Sequence, residues 1–221
     1  MENIKSEVIG TYDNFFNPFI FKAVPIGSTC LDVGCWNGNM GAELIKRKKC
    51  LVYGIDCNIK AIEIAKKRGY SEVYRINFNN EVYNLPNFKF KFDVIIFADV
   101  LEHLINPVIV LLQLKEYLKK EGLILISIPN ITFIHYRLKL LFGIWNYDES
   151  GVMDKTHLRF FTKKTIFDLA EEAGLEVVEF QAYNLLGSKY FYLKILKKIK
   201  ILGKFFPELF SPQFLIQLKN G

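Results

Sequence analysis

The chain has 221 residues and a formal net charge of +6, and 51% of its residues are hydrophobic. This length and composition are typical of a single folded domain with a sizeable core, and they exclude a wholly disordered chain. The N-terminal sequence lacks the basic-then-apolar pattern of a signal peptide, and no uncharged apolar run is long enough to span a bilayer. None of the four cysteines forms a Cys-x-x-Cys pair, which indicates buried thiols in a reducing compartment. We therefore predict a cytoplasmic protein.

Short apolar runs alternate with segments of helical periodicity through residues 29–130, the predicted core. This alternation is typical of a parallel sheet covered by helices on both faces. A later helix is predicted to be capped by Thr162 and to end at Gly174. The predicted strands are Thr29–Val33, Leu51–Ile55, Phe92–Phe97, Leu123–Ile128, Leu175–Tyr183 and Gln213–Lys219, and the other predicted helices are Met40–Lys49, Ile59–Arg68 and Pro107–Lys120.

Three segments surround this core. Residues 1–28 are predicted to be an N-terminal helical segment. Residues 131–161 are aromatic, basic and too long for a simple connection, and we expect them to cover the strand ends where ligands of open α/β sheets bind. Residues 184–210 are predicted to be a basic amphipathic insertion before the last strand. Such a segment packs on the sheet or lies on an anionic membrane, so a peripheral contact at the inner membrane face through residues 185–206 is a prediction.

A glycine turn lies in the stretch Leu31–Asn39, at the end of the first predicted strand. Gly34 and Gly38 permit a tight strand-to-helix turn that a ligand can approach closely. Asp32 stands two residues before the first glycine, and Asp56 ends the next predicted strand. A carboxylate at this second position can accept hydrogen bonds from both hydroxyls of a ribose.

The residues of this turn also discriminate between nucleotide cofactors. A dinucleotide fingerprint needs Gly-x-Gly-x-x-Gly, whereas Trp36 and Asn39 occupy its second and third glycine positions. Asp32 would repel a pyrophosphate, but it would attract a cofactor that carries an ammonium and a sulfonium. The sequence therefore favours S-adenosylmethionine over NAD.

These motifs resemble those of class I S-adenosylmethionine-dependent methyltransferases. Leu31–Asn39 resembles motif I, Asp56 matches the ribose-binding acid, Phe92–Leu104 resembles the fourth strand and its turn, and Leu118–Asn130 is similar to the hairpin and fifth strand. The motifs stand in the right order and span about half of the chain. The resemblance implies a Rossmann-like, doubly wound, mostly parallel seven-stranded sheet with helices on both faces. It also implies S-adenosyl-L-methionine as cofactor and S-adenosyl-L-homocysteine as product.

Two positions depart from the family pattern. Trp36 replaces the usual middle glycine of the loop, so the loop must be shaped differently there. Asn77 falls where the family usually has an aspartate that holds the adenine amino group, and its side-chain oxygen can still accept that bond. Phe78 lies either against the adenine or in the core. The predicted cofactor-binding residues are Asp32, Gly34, Cys35, Gly38, Asp56, Cys57, Asn77, Phe78, Ala98 and Asp99.

A second motif, Gly151–Thr162, resembles a branch of bacterial methyltransferases associated with surface-polysaccharide and glycosyl-transfer pathways. The resemblance implies a glycan-related or small hydroxylated acceptor. A hydroxyl acceptor benefits from a general base near neutral pH, and we predict His157 for this role, oriented by Asp154 or Arg159. The alternative is that His157 only structures its loop by hydrogen bonding. His103 is the second candidate catalytic residue, at the rim of the cofactor site.

A metal site is an alternative use of the same histidines. Asp99, Glu102 and His103 share one face of a helical turn, and together with His157 they would suit Mg²⁺, Mn²⁺ or Zn²⁺. The spacing resembles that of metal-dependent small-RNA 2′-O-methyltransferases, but Glu-His after the fourth strand is also common in metal-free relatives, so the main prediction includes no metal.

Three functions remain open from the sequence alone. The first is O-methylation of a sugar or similar small acceptor, and the second is metal-dependent methylation of an RNA ribose. The third is non-catalytic binding of S-adenosylmethionine. We expect no nucleic-acid partner, because no separate basic RNA-binding module is visible in the sequence.

Overall fold

The computed structural model describes residues 16–183 and 206–221 of the chain. Its strands are β1 (Thr29–Val33), β2 (Leu51–Asp56), β3 (Glu72–Arg75), β4 (Phe92–Ala98), β5 (Leu118–Pro129), β6 (Leu175–Tyr183) and β7 (Gln213–Asn220). Its helices are α1 (Pro18–Ala23), α2 (Asn39–Lys48), α3 (Ile59–Lys67), α4 (Pro107–Lys115), α5 (Ile134–Leu141), α6 (Lys163–Glu172) and α7 (Pro207–Phe210).

The strand order confirms the predicted Rossmann-like fold. The seven strands form a sheet in the order β3-β2-β1-β4-β5-β7-β6. The pairs β1–β2, β1–β4 and β2–β3 are parallel, whereas β7 is antiparallel to both β5 and β6. From β1 the chain first adds strands on one side, β2 and β3, and then on the other side, beginning with β4. Right-handed crossover connections that run in these two directions place their helices on opposite faces of the sheet.

Among the described residues, the first of two compact units comprises 16–98 and 117–123. Its central strand β1 is paired on both edges, and four of its five residues are buried. Leu31 is fully buried in this strand, and Asp32 lies opposite Gly54 of β2. The helices α2 and α3 belong to this unit and connect β1, β2 and β3 in turn.

The second unit comprises, of the described residues, 99–116, 124–183 and 206–221. Its strand β7 pairs with both β5 and β6, and Phe214 and Ile216 of β7 are fully buried. Helix α6 begins as predicted at Thr162, whose hydroxyl accepts the N–H of Thr165 in a capping box.

Three elements of the predicted core differ from the sequence-based prediction by more than one residue. The helix predicted over Pro107–Lys120 ends at Lys115, and β5 begins already at Leu118. The N–H of Phe92 donates to the carbonyl of Tyr117 at 2.7 Å, and this bond draws the chain toward the sheet before Leu118. Strand β3 was not among the predicted strands, because only one of its four residues is buried.

The predicted end segments are described only in part. Of residues 1–28, the structure describes 16–28, where α1 lies, and of residues 184–210 it describes 206–210, where α7 lies. The predicted membrane contact through residues 185–206 lies, apart from Phe206, outside the described residues and stays a prediction. Among the residues that are described, no helix is both long and apolar enough to cross a membrane.

Candidate functional site

The predicted glycine turn connects β1 to α2. Gly34 and Gly38 have φ angles of 68° and 82°, in the left-handed region that favours glycine. The backbone N–H groups of Gly34 and Cys35 donate to the carbonyl of Ile55 at 2.7 and 3.1 Å, which fixes the turn to β2. The turn predicted from the sequence is therefore confirmed as a backbone feature.

Trp36 occupies the middle of this turn, where the family usually has glycine. It too adopts a left-handed conformation, with φ at 48°, which is uncommon for a bulky residue. Its N–H donates to Oδ2 of Asp56 at 2.8 Å, and Oδ1 of Asp56 accepts the N–H of Asn58 at 2.8 Å. A carboxylate offers about four lone-pair sites, so these two bonds are compatible with binding ribose hydroxyls as well.

Tyr70 is a residue of this site that the sequence analysis missed. It follows α3, and its hydroxyl donates to Oδ2 of Asp32 at 2.6 Å and accepts the N–H of Gly41 at 3.0 Å. Its ring lies against three glycines: an added Cβ would lie 2.8 Å from the ring at Gly38, 2.2 Å at Gly41 and 3.0 Å at Gly54. The only signal in the sequence was this spacing of glycines, which leaves room for one large side chain.

Asp32 is buried beside this tyrosine, with 2% of its surface exposed. Burial raises the pKa of Asp32 to about 7, the charge of Asp56 adds to this effect, and the hydrogen bond from Tyr70 opposes it. A substantial fraction of Asp32 therefore carries a proton near neutral pH when no cation lies beside it.

We expect binding of S-adenosylmethionine to release a proton from Asp32 below pH 7. The pKa of Asp32 is raised to about 7, so the acid must ionise before it attracts an ammonium or sulfonium. Affinity should rise from pH 5 to about pH 7 and then level off. Titration calorimetry at pH 6 in two buffers of different ionisation enthalpy measures the released proton. The Asp32→Asn variant should release none, and equal proton release from both proteins would contradict this assignment.

A second prediction concerns Asp56. The Asp56→Asn variant should bind S-adenosylmethionine about 10- to 100-fold more weakly, since one carboxylate acceptor becomes an amide donor facing a backbone N–H or a ribose hydroxyl. Calorimetry checks this, with Asp93→Asn as the matched control. Asp93 also accepts a backbone N–H, that of Thr29 at 2.9 Å, but it lies at the opposite end of its strand. Equal losses in both variants would show a general effect on folding.

The remaining predicted cofactor residues of the first unit lie near strand ends. Cys35 is buried in the glycine turn, and the exposed Cys57 follows β2. Asn77 is exposed after β3, and its Oδ1 accepts the N–H of Asn79 at 3.0 Å. Phe78 is half-buried and lies edge-on to Tyr83, so it is not a fully buried core residue. Their contacts with a cofactor stay predictions.

The side chain of Asp99 does not lie with the other three residues of the predicted metal quartet. Ala98 ends β4, and Asp99 follows with a left-handed φ of 56° and accepts a hydrogen bond from the side chain of Gln213. Burial raises the pKa of Asp99 to about 6, and the bond from Gln213 opposes this shift. Because its side chain is held by β7, Asp99 does not join the other three residues of the quartet within the described part of the chain.

Glu102, His103 and His157 do come together, and we call them the Glu-His-His cluster. Each offers one potential ligand atom, and these atoms lie within 4.8 Å of one another. The two imidazole rings meet edge to face with centroids 4.8 Å apart. The N–H groups of Leu158 and Arg159 donate to the backbone carbonyl of Glu102 at 2.8 and 3.1 Å. These two bonds tie the loop of His157 to the 3₁₀ turn that carries Glu102 and His103.

The group that orients His157 is not one of those predicted. Nδ1 of His157 lies 3.0 Å from the carbonyl of Val152, which accepts its proton. Asp154 instead accepts the hydroxyl of Thr156, and the guanidinium of Arg159 donates to the carbonyl of Ile105. Burial lowers the pKa of His157, so its neutral form is favoured at pH 7.

Glu102 is the most unusual member of the cluster, because it is an acid with only 1% of its surface exposed. Neither of its carboxylate oxygens has a hydrogen-bond partner among the described residues. Nε2 of His157 lies 3.9 Å from Oε1, which is too far for a hydrogen bond. Burial, with a contribution from the charge of Asp99, raises the pKa of Glu102 well above its usual range.

The fold and the pair of strand-end acids define a class I methyltransferase. A family model described as a methyltransferase domain matches residues 12–180, so the chain belongs to this family. The chain is an S-adenosylmethionine-dependent methyltransferase, with S-adenosylhomocysteine as product.

Individual relatives agree with this class. The chain is 26% identical to a ubiquinone biosynthesis O-methyltransferase of Haemophilus ducreyi over 77% of each chain. It is 28% identical to the protein of that name from Cereibacter sphaeroides, over 69% of this chain but only 62% of the relative. Among solved structures, an S-adenosylmethionine-dependent methyltransferase of Thermotoga maritima has a TM-score of 0.63 and 21% identity, with 91% of this chain and 86% of that one covered. At this identity the structural likeness shows the fold alone.

Proposed function

We propose that this methyltransferase transfers a methyl group to a hydroxyl oxygen of a small acceptor. The single observation that carries the proposal is the Glu-His-His cluster, a set of electron-pair donors around the buried Glu102 at which a hydroxyl can lose its proton. Two curated relatives whose names specify an O-methyltransferase support oxygen as the atom methylated.

The residues of the first unit fit the cofactor by the chemistry of their donors. Asp32 is the next-to-last residue of β1, and Asp56 ends the adjacent parallel strand β2. The first carboxylate is suited to a cationic group and the second to ribose hydroxyls. Gly34 and Gly38 carry no side chain where the backbone turns, so a ligand can approach the main chain. Bound S-adenosylmethionine supplies a methyl group on a positively charged sulfur.

The cluster residues of the second unit act on the acceptor. A hydroxyl is a weak nucleophile until its proton leaves, and a positioned proton acceptor or Lewis acid contributes about 10²- to 10⁴-fold to such a reaction. The Val152 carbonyl holds the proton of His157 on Nδ1, which leaves the lone pair of the imidazole on Nε2. Nε2 is the atom that lies toward Glu102.

The proposed acceptor class is a small hydroxylated molecule. It includes the glycan-related hydroxyls predicted from the motif Gly151–Thr162 as well as the precursors that an O-methyltransferase of ubiquinone biosynthesis serves. The relatives favour the second group over a polysaccharide acceptor. An RNA ribose and a purely cofactor-binding role are the competing outcomes.

The test is transfer of a deuterated methyl group from S-adenosylmethionine to matched acceptor pairs. A dihydroxybenzoate is compared with its aminobenzoate analogue, and nucleotide sugars and a short RNA complete the panel. Mass spectrometry locates the label, and the Asp56→Asn variant, assayed at a low S-adenosylmethionine concentration, serves as the control with weakened cofactor binding. We expect label on oxygen of a small acceptor. Label on nitrogen or on RNA would overturn the proposal, and cofactor binding without transfer to any member would assign a non-catalytic role.

A further inference from the structure

We infer that a second copy of this chain binds the apolar surface formed by α5 and the loop that follows it. We call this surface the α5 patch, and its members are Leu138, Leu140, Leu141, Phe142, Trp145 and Tyr147. All six residues are exposed, Leu141 and Phe142 with 76% of their surface. A single exposed apolar residue is ordinary, but six within ten positions mark a site of interaction. The inference goes beyond the proposed function and does not depend on the acceptor.

The backbone of the patch is anchored from its inner side. There α5 packs in a buried cluster, whose members are Phe133, Tyr136, Val152 and Met153. The helix is closed by Gly143, whose φ is 70°, and the N–H of Ile144 donates to the carbonyl of Lys139 at 2.9 Å. These contacts fix the backbone of α5, so the apolar residues on its outer side form a surface of defined shape.

Ring contacts hold the loop part of the patch. The ring centroids of Trp145 and Tyr147 lie 5.4 and 6.4 Å from that of Phe160. The ring centroid of Phe160 lies 6.3 Å from that of His157, a member of the Glu-His-His cluster. The α5 patch therefore reaches the segment that carries part of the cluster, and a bound copy would lie beside it.

The exposed area is sufficient for a stable dimer. A large apolar residue has roughly 200 Å² of surface, so the exposed fractions of the six residues amount to roughly 700 Å². The largest apolar patch of a monomer typically measures about 300–600 Å². Each partner of a standard protein–protein interface buries about 800 Å², part of which belongs to a polar rim. The α5 patch is thus larger than monomers usually expose and matches the apolar centre of such an interface.

The charges around the patch favour a second copy over an anionic membrane. Residues 137–155 contain three cations and three anions, which are Arg137, Lys139, Asp148, Glu149, Asp154 and Lys155. A segment that binds anionic lipid carries an excess of Lys and Arg, because the negative surface attracts cations and repels anions. The charges of this segment cancel, although the whole chain has a net charge of +6. The basic excess of the protein therefore lies elsewhere.

A balanced rim is also what the pairing of two identical surfaces requires. In a twofold dimer each copy presents the same patch, so a rim of one sign would repel its own copy. Arg137 and Asp148 are both exposed, and a cation of one copy can face an anion of the other. The apolar residues of both copies are then removed from water in one contact, which is the main driving force of such association.

Sedimentation of the full chain tests the inference. We expect the unchanged protein to sediment at micromolar concentrations with twice the mass of one chain. Leu141→Glu places a charge in the patch and should weaken the dimer about tenfold or more, because an unpaired charge is costly to bury. The matched control is Ile26→Glu, which introduces the same charge at a residue that lies outside the patch and is 79% exposed. It should leave the dimer unchanged.

A charge exchange shows whether the partner is a copy of the same surface. The double variant Arg137→Glu, Lys139→Glu and the double variant Asp148→Lys, Glu149→Lys should each be mainly monomeric, since each rim then has an excess of one sign. When the two double variants are mixed, the opposite rims should restore the dimer.

Thermal melts show whether each variant is folded, and Phe142→Glu, at the equally exposed neighbouring position, replaces Leu141→Glu if that variant is not. A monomer at every concentration, a dimer that the substitution leaves unchanged, or a mixture that stays monomeric would each overturn the inference. Monomers that bind phosphatidylglycerol vesicles, and lose this binding in Leu141→Glu, would also overturn it and would assign the patch to a lipid surface. The methyl-transfer assay of the proposed function is decided separately from all of these outcomes.

Discussion

Replacing Gly41 by alanine is expected to lower the free energy of unfolding by about 3 kcal/mol, although alanine is the better helix former. An added Cβ would lie 2.2 Å from both Cζ and the hydroxyl oxygen of Tyr70. The tyrosine ring must therefore move, and its bonds to Asp32 and to the N–H of residue 41 break. Urea denaturation measures the change in stability. Calorimetry should show a parallel loss of S-adenosylmethionine affinity, because Asp32 loses its partner.

The control for this prediction is a second substitution that removes the ring of Tyr70. Tyr70→Ala alone is expected to cost about 3–5 kcal/mol, since a large buried ring is lost. In that background Gly41→Ala should cost nothing further, because the Cβ then enters the space that the ring has left. The effects of two substitutions on stability are expected to be non-additive in this way when the two residues are in contact. If Gly41→Ala costs the same in both backgrounds, contact with Tyr70 is not the reason for the glycine.

Periodicity and caps allowed most of the fold to be predicted. The strands β1 and β6 have the predicted bounds, and Thr162 caps α6 as expected. A strand buried on both faces or a helix cap is specified by residues close in sequence, so a local pattern is enough. Strand β3 was missed because it is stabilised by pairing with β2 rather than by its own apolar content.

The site was predicted only where neighbours in sequence define it. The glycine turn and the acid that ends β2 are local features, and both were found. Tyr70 was not found, because its bond to Asp32 joins residues 38 positions apart. The alternative metal quartet included Asp99, although the side chain of Asp99 accepts a hydrogen bond from Gln213, which is 114 positions away, and its left-handed turn is not visible in the sequence. Spacing within one helical turn could suggest the cluster but could not separate Asp99 from it.

The His157→Asn variant is expected to lower kcat about 100-fold or more while the affinity for S-adenosylmethionine stays unchanged. His157 supplies one of the three electron-pair donors of the Glu-His-His cluster, and loss of a group that helps a hydroxyl to lose its proton typically costs this much. Asparagine has the same side-chain atoms as histidine as far as Cγ and is also polar. The bonds from the N–H groups of Leu158 and Arg159 to the carbonyl of Glu102 should therefore persist. Steady-state kinetics and cofactor calorimetry on the same preparation measure both quantities.

Two comparisons decide whether this loss comes from the cluster. Glu102→Gln should show a similar fall in kcat, and the double variant should fall little further, because residues that act as one unit are not additive. His135→Asn, the same replacement at the histidine outside the cluster, should keep its kcat. A His157→Asn variant that retains kcat within about threefold would limit this residue to a structural role. One that loses cofactor affinity instead would show that His157 serves the cofactor and that the acceptor is activated elsewhere.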